Sequence, residues 1–173
     1  MSGIEPIAID AIDDAELRAL VAQALALGVP DERFAAIVAR VPAYAKALLR
    51  AMLLSHAEGS VDHRLKELIR IRLAGIAGDP YFSRLRSAKA LAQGLTEELI
   101  AAAARYESDA RFTQAEKWAL RYAERMYLAP HEIDAAFYDA LKRHYTEAQI
   151  MELGAFIAFH YGMQVFMRTA APH

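Results

Sequence analysis

The segment ELIRIRLAGIAGDPYFSRLR, residues 67–86, decides the fold of this chain. Apolar residues recur at three- and four-residue spacing up to a glycine-containing break that ends at Gly78, as on one face of a helix. Asp79 and Pro80 then supply a helix cap and a proline for the first helical position. The continuation SAKALAQGLT, residues 87–96, carries the second helical run to Gly94. The segment therefore predicts two helices joined by a short turn.

The sequence before this segment predicts three further helices. Asp13 and Asp14 precede an amphipathic run that ends near Gly28. A short helix is expected from 32 to 40, and another from Pro42 to about residue 56. Ser60 is the candidate cap of the helix that contains Glu67.

The sequence after it is helical as well. Thr96 caps a helix that is expected to run to about residue 106. Thr113 and Thr146 each open a capping box, and Pro130 is expected to begin a helix that ends near residue 143. No window shows the sustained alternation of a strand. The sequence predicts an all-α fold, a compact multi-helix bundle, in one domain covering residues 1–173.

The composition indicates more apolar surface than one domain can hide. The 173 residues are 55% hydrophobic, against about 45–50% in ordinary globular proteins. We expect part of the excess to cover a subunit interface, and thus a homo-oligomer.

Charge and cysteine content exclude several function classes. A formal net charge of −2 does not favour nucleic acid. The first six residues lack a charged leader followed by an apolar run, so no secretory signal is expected. The longest run without charged residues, 153–167, is shorter than the ~20 residues of a membrane span. Without cysteine, disulfides and thiol chemistry are absent. The sequence predicts a cytoplasmic protein that does not bind membranes.

Several motifs resemble the carboxymuconolactone decarboxylase family, which includes the alkylhydroperoxidase D-like proteins. The triplet at 66–68 matches the family's Arg-Glu-Leu position, and Arg86, Ala90 and residues 94–98 match its tail in phase. Residues 112–116 and 157–162 resemble longer, two-part relatives. The resemblance covers about residues 60–169. Asp79 and Phe82 stand where the family pattern has its two cysteines, and Arg86 stands at the histidine position.

The resemblance implies a helical homo-oligomer (dimer, trimer or hexamer) with a site between the Glu67 helix and the helix that begins at Asp79. Thiol members of the family reduce peroxides through the two cysteines. Decarboxylase members act on a carboxylated lactone without a redox centre. Because both cysteines are missing here, thiol peroxidase chemistry is excluded.

Glu67 is the first candidate catalytic residue, because its family counterpart serves in proton transfer. A partly desolvated carboxylate can act as acid or base near neutral pH. Periodicity alone favours a different interpretation: Leu65, Leu68, Ile69 and Leu73 form the apolar face, and Glu67 points away from it toward solvent.

The segment contains four further candidate site residues: Asp79, Arg86, Tyr81 and Phe82. Asp79 is a helix cap, a catalytic carboxylate or both. Arg86 can hold a substrate carboxylate in a bidentate pair, or form an ion pair with Glu67 or Asp79. Tyr81 and Phe82 line a substrate pocket or belong to the core.

His160 lies on a helix whose polar-leaning stripe either faces solvent or faces the site, and the neighbouring Tyr161 is a candidate supporting residue. His63 and Glu67 have the i, i+4 spacing of helical metal ligands, with His160 or His56 as a possible third. One such pair is common by chance, so we expect no metal and no cofactor.

These observations favour a cofactor-free acid/base lyase or decarboxylase, or else an isomerase or hydrolase, acting on a small carboxylated or aromatic-derived substrate. In this hypothesis Arg86 binds the carboxylate, Glu67 transfers the proton and His160 assists. The alternative is a catalytically silent helical oligomer with a ligand-binding groove.

Overall fold

The computed structural model describes residues 3–170, and this part of the chain contains ten α-helices and no strand. The helices are α1 (Ala15–Ala26), α2 (Glu32–Val38), α3 (Pro42–Ala57), α4 (His63–Ile76), α5 (Pro80–Arg84), α6 (Ala88–Ala92), α7 (Glu97–Ala102), α8 (Gln114–Leu128), α9 (Ala135–Leu141) and α10 (Glu147–Ala170). The predicted all-α class is confirmed.

Helix α4 is the centre of the bundle. It contacts α5, α6, α7, α8 and α10. Leu68 belongs to an apolar cluster formed mainly with α7, α8 and α10, whereas Ala74 belongs to a second cluster formed with α1, α2 and α3. Because these clusters lie on different sides of α4, ten of its fourteen residues are buried.

Most helix starts follow from the caps in the sequence. The Asp14 carboxylate accepts a hydrogen bond from the Leu17 amide, and the Asp79 carboxylate accepts one from each of the next two helical amides. Thr113 and Glu116 form the predicted capping box of α8. These local hydrogen bonds explain why the starts could be predicted from sequence.

The helix predicted from Asp79 to Gly94 is wrong, because the chain turns out of helix at Leu85. The Leu85 carbonyl accepts a hydrogen bond from Arg70 at 2.7 Å, and the Ser87 amide donates to Glu67 at 3.0 Å. The Ser87 hydroxyl then caps α6. Backbone groups that a continuous helix would pair with each other are paired here with buried side chains of α4.

The predicted cap of α4 is also wrong. Asp62 caps the helix, not Ser60. The Ser60 and Val61 amides instead donate to the Glu152 carboxylate of α10. This long-range contact, invisible in a local pattern, delays the helix start by two residues.

The helix expected to begin at Pro130 starts later. Pro130–Glu132 forms only a 3₁₀ turn, and α9 begins after Asp134, whose carboxylate accepts from the Phe137 amide. The stronger side-chain cap decides the start.

Helix α10 has an unusually exposed apolar surface. Within the described residues it is the one helix long and apolar enough to cross a membrane, by length and composition alone. Core helices of soluble proteins share that property. Only 39% of its most apolar 18-residue window is buried, however, so much of its apolar surface faces outward.

Candidate active site

Helices α3, α4 and α10 enclose a set of buried polar side chains, which we call the polar centre. Each member is at most 3% exposed. The members are His56 of α3, His63, Lys66, Glu67 and Arg70 of α4, Ser87 of the α5–α6 loop, and His160 and Gln164 of α10. Burying polar groups is costly unless they pair, so their partners define the site.

Glu67 and Arg70 form a fully buried ion pair. The Arg70 Nε and Nη2 atoms donate to the two carboxylate oxygens at 2.8 and 2.6 Å, and the Ser87 amide donates to Oε1 at 3.0 Å. Both side chains are 0% exposed. The interpretation of Glu67 as an exposed surface residue is therefore wrong, because helices cover α4 on the side that periodicity assigned to solvent.

Arg70 also fixes the elements around it. Its guanidinium donates to the Phe82 carbonyl at 2.8 Å and to the Leu85 carbonyl at 2.7 Å. The Gln164 amide of α10 donates to the Arg70 carbonyl at 3.1 Å. The sequence signal for this role is the i, i+3 spacing of Glu67 and Arg70, which is too common to be specific.

His56, His63 and His160 form a second feature, the histidine cluster. The ring centroids of His56 and His63 lie 4.6 Å apart, and those of His56 and His160 lie 5.7 Å apart. His63 Nε2 lies 2.8 Å from the Ser87 hydroxyl. Four buried ring nitrogens lack a hydrogen-bond partner among the described residues: both of His56, Nδ1 of His63 and Nε2 of His160. Such groups are rare, since each costs about 1–3 kcal/mol.

Burial keeps these imidazoles neutral. It lowers the pKa of His56 to about 3, helped by the nearby His63 and Lys66. Burial also lowers the pKa of His63 to about 4, although Glu67 opposes the shift. The pKa of His160 lies well below its ordinary value for the same main reason, with Arg70 adding to the effect. At neutral pH the cluster can accept protons but has none of the positive charge of imidazolium.

A cavity of about 590 Å³ between α1, α3 and α6 reaches the cluster at His56. Leu20, Leu27 and Lys89 are among its lining residues. The exposed Lys89 donates from Nζ to the His56 carbonyl at 2.7 Å. No carboxylate within residues 3–170 forms an ion pair with Lys89. Gln23 and Arg50 also line the cavity, and Arg50 is paired with Glu16. The cavity thus combines mostly apolar walls with the uncompensated positive charge of Lys89.

Arg86 lies at the edge of the polar centre, where its Nη1 atom donates at 2.8 Å to the Leu85 carbonyl that also accepts from Arg70. Its guanidinium pairs with the exposed Glu97 at 2.7 and 3.0 Å. The alternative in which Arg86 pairs with Glu67 or Asp79 is wrong: Glu67 is taken by Arg70, and the Asp79 carboxylate accepts from the first amides of α5.

The other candidate site residues cap a helix or pack against neighbouring side chains. Asp79 is 2% exposed and serves as the helix cap. Tyr81 and Phe82 belong to the apolar cluster with α1–α3, where the Tyr81 hydroxyl donates to Asp31. Tyr161 packs against Tyr127 of α8, with ring centroids 4.6 Å apart. His160 is thus the α10 candidate that the structure brings into the polar centre with Glu67.

The side chains of His63 and Glu67, which have the spacing of helical metal ligands, each have another partner. His63 Nε2 bonds to Ser87, and the Glu67 carboxylate bonds to Arg70, so the two are not arranged as a pair of ligands. Among residues 3–170, no three histidine or acidic side chains converge as a metal ion requires. Ser87 and Lys89 carry no sequence pattern that marks them, since their roles depend on contacts with distant helices.

Comparison with solved structures identifies the fold. A peroxidase-related protein from Ralstonia eutropha JMP134, described as an alkylhydroperoxidase AhpD core, aligns with a TM-score of 0.81 at 16% identity, over 100% of this chain and 92% of that one. A peroxidase-related protein from Silicibacter sp. TM1040 aligns with a TM-score of 0.78 at 16% identity, over 98% and 90%. The debrominase Bmp8, solved alone and in complex with 2,3,4-tribromopyrrole, aligns with a TM-score of 0.77 at 21% identity, over 95% and 87%.

Comparison of sequences identifies the family. No curated protein matches this chain. Residues 42–125, which contain α4, the Glu67–Arg70 pair and two of the three clustered histidines, match the model of the carboxymuconolactone decarboxylase family. Over these residues the cysteine-free chain is therefore similar to the carboxymuconolactone decarboxylase family, and its fold is AhpD-like.

Proposed function

We propose that this protein is a cofactor-free acid/base enzyme, a carbon–carbon lyase or decarboxylase, or else an isomerase or hydrolase, acting on a small carboxylated or aromatic-derived compound. The observation that carries the proposal is the histidine cluster: four buried ring nitrogens lack partners, and one of the three histidines, His56, lines a cavity of about 590 Å³. Buried polar groups without partners are tolerated where a ligand or a reaction uses them.

His56 is the proposed general base, since it lies where the cavity meets the cluster. A neutral imidazole can accept a proton from the bound substrate. An anionic substrate would raise the pKa of His56 and oppose the effect of burial. His160 and His63 are the neighbours through which the proton can be shared. Glu67 acts as a positioning residue. Its carboxylate accepts a hydrogen bond from the Ser87 amide, and the Ser87 hydroxyl in turn contacts His63.

Lys89 is the proposed partner of the substrate carboxylate. It lines the cavity and has no ion-pair partner among the described residues, whereas the Arg86 guanidinium is bound to Glu97. The apolar walls suit the rest of a small organic acid. The debrominase with this fold binds a small aromatic ring. This supports a substrate of similar size but does not support any particular reaction.

The alternative, a silent binding protein, is favoured by one observation. The Glu67 carboxylate accepts three hydrogen bonds and is 0% exposed, so it cannot transfer a proton unless that network opens. The two hypotheses share the cavity and differ only in turnover.

Binding is tested first. A thermal-shift screen against aromatic acids and lactone acids selects a ligand, and titration gives its Kd. We expect Lys89→Ala to weaken binding about tenfold, the effect of losing about 1.4 kcal/mol. Lys117→Ala is the matched control, because Lys117 also donates to a backbone carbonyl but lies away from the cavity. Equal effects of the two variants would remove Lys89 from the site.

Turnover is tested by following loss of the bound acid by NMR. We expect His56→Gln to reduce kcat at least a hundredfold while ligand binding and the circular dichroism spectrum persist. If the wild-type protein binds the acids but converts none of them, the silent alternative replaces the enzyme proposal.

A further inference from the structure

Ser87 binds two members of the polar centre through two different atoms. It is fully buried and immediately precedes α6. Its backbone amide donates to Glu67 Oε1 at 3.0 Å, and its hydroxyl oxygen lies 2.8 Å from His63 Nε2. Because the amide is held by Glu67 and the hydroxyl also caps α6, the hydroxyl oxygen has a fixed position beside the His63 ring.

The hydroxyl proton of Ser87 has a single possible acceptor within residues 3–170. A serine hydroxyl has one proton to donate and two lone pairs that accept. One lone pair accepts a hydrogen bond from the Ala90 amide at 3.4 Å. The other hydrogen-bond partner of this oxygen is His63 Nε2. The proton therefore points at this nitrogen or has no partner.

The direction of this hydrogen bond decides which nitrogen of His63 carries the ring proton. A neutral imidazole has one N–H group and one acceptor nitrogen, and the bond made by one nitrogen sets the state of the other. If Ser87 donates to Nε2, the ring proton is on Nδ1, and Nδ1–H alone is left without a partner.

The opposite direction leaves more groups unpaired. If Nε2 donates to the Ser87 oxygen, the Nδ1 lone pair has no partner and neither has the hydroxyl proton. Buried polar groups without partners are costly, so the arrangement with fewer of them is the more stable. Hydrogen-bond pairing in the polar centre thus favours donation from Ser87 to His63.

We propose that Ser87 is a positioning residue that holds His63 in the tautomer with its proton on Nδ1. The Ser87 hydroxyl donates to His63 Nε2, and the Nδ1–H group faces no acceptor among the described residues. His63 therefore belongs to the histidine cluster as a hydrogen-bond donor and not as a second base.

The chemical consequence rests on the proposed function, in which His56 accepts the substrate proton. With Nδ1 already protonated and Nε2 occupied by Ser87, His63 has no free nitrogen that could take this proton over. Of the two neighbours of His56, His160 is then the one with which the proton can be shared. The ring centroids of His56 and His160 lie 5.7 Å apart, and His160 Nε2 has no partner.

NMR of the ligand-free full chain tests the tautomer directly. In a long-range ¹H–¹⁵N correlation spectrum, protonated and unprotonated ring nitrogens have well-separated ¹⁵N shifts, and the signals lost in His63→Gln identify His63. Burial lowers the pKa of His63 to about 4, so the ring is neutral at pH 7.5. We expect the Nδ1–H form to exceed the Nε2–H form at least about tenfold. A predominant Nε2–H form, or similar populations, overturns the proposal.

Ser87→Ala tests whether the hydroxyl causes this preference. Without the hydroxyl neither nitrogen of His63 has a partner, so both tautomers should become visible, whereas Ser87→Thr keeps a hydroxyl and should keep the Nδ1–H form. Thr96→Ala is the matched control. Thr96 also caps a short helix, accepting from the Leu99 amide at 3.2 Å, but has no hydrogen bond to a histidine among the described residues. An unchanged preference in Ser87→Ala, or equal changes in Ser87→Ala and Thr96→Ala, contradicts the role of Ser87.

These spectra need no substrate, so they separate this inference from the proposed function. A protein that converts no acid but shows the Nδ1–H form of His63 would remove the proposed reaction and retain the role of Ser87. An active enzyme with the Nε2–H form would do the reverse.

Discussion

At the scale of the residue, Arg70 is the side chain on which the interior depends most. Its guanidinium donates four hydrogen bonds, two to the Glu67 carboxylate and two to the Phe82 and Leu85 carbonyls. Arg86, which the sequence favoured as the functional arginine, forms its ion pair with the exposed Glu97. Burial, which sequence does not show directly, decides which arginine matters for the fold.

This contrast predicts unequal effects on stability. Arg70→Ala leaves the Glu67 charge buried without its partner, and we expect it to cost about 3–5 kcal/mol. Arg86→Ala removes an ion pair with the exposed Glu97 and hydrogen bonds to the Ser83 and Leu85 carbonyls, and should cost less, about 1–2 kcal/mol. Urea unfolding at pH 7.5 compares the two. Similar losses would mean that the buried pair contributes no more than the surface pair.

The buried histidines predict a pH dependence of stability. In the unfolded chain they titrate near 6.5, whereas the pKa values of His56 and His63 in the fold are about 3 and about 4. Between these values the unfolded state binds the extra protons. The free energy of unfolding is therefore independent of the titration of these histidines above pH 6.5. It falls as the pH falls toward 4, by up to about 1.4 kcal/mol per histidine per pH unit.

Urea unfolding between pH 7.5 and 5 measures this slope. His160→Leu should reduce it by about one third, because it removes one of three buried imidazoles. His131→Gln removes an exposed histidine and should leave the slope unchanged. An unchanged slope in His160→Leu would show that His160 is not a buried neutral group.

At the scale of the element, α4 and the α5–α6 break organise the molecule. The break exists because Glu67 and Arg70 bind backbone groups of the loop between the two short helices. The same loop meets the end of α1, where the Ala88 amide donates to the Leu27 carbonyl at 2.9 Å. The loop that bounds the polar centre is thus held from both sides.

Two glycines test how tightly that loop is held. Gly28 has φ +76°, and a Cβ there would lie 2.5 Å from the Arg86 carbonyl oxygen. Gly78 has φ +61° with nothing within 4 Å of its Cβ position. We expect Gly78→Ala to cost about 1–2 kcal/mol from backbone conformation alone, and Gly28→Ala to cost clearly more. Thermal melts compare them, and equal losses would mean that the loop moves freely.

At the scale of the whole molecule, several large apolar side chains remain exposed, among them Tyr44, Leu54 and Met151. If the homo-oligomer expected from the sequence forms, folding and association are linked, and the melting temperature must rise with protein concentration. For a dimer of this size we expect roughly 2 °C per tenfold increase. A melting temperature independent of concentration in the wild type would contradict the linked dimer.

Local patterns predicted the class and most helices. Caps such as Asp14, Asp79 and Thr113 act within three residues, so the sequence contains all of their partners. The family resemblance was confirmed for the same reason, because its motifs are short and keep their spacing. The errors at Ser60 and Leu85 arose where a distant side chain binds the local backbone.

The candidate site was predicted only in part. Glu67 and His160 do meet in the polar centre, but the arginine that pairs with Glu67 is Arg70 and not Arg86. His56 and Lys89 were not expected at a cavity, since α3 and α6 are far apart along the chain. Their proximity depends on packing around α4 and could not be read from spacing.

The sequence by itself determined the all-α class, the family and the absence of thiol chemistry, because composition and short-range hydrogen bonds suffice for these. Only the tertiary structure decided that Glu67 is buried with Arg70, that three histidines lie together, and that α10 leaves an apolar side uncovered. Each of these depends on which helices surround α4, and helix packing joins residues that are distant in sequence.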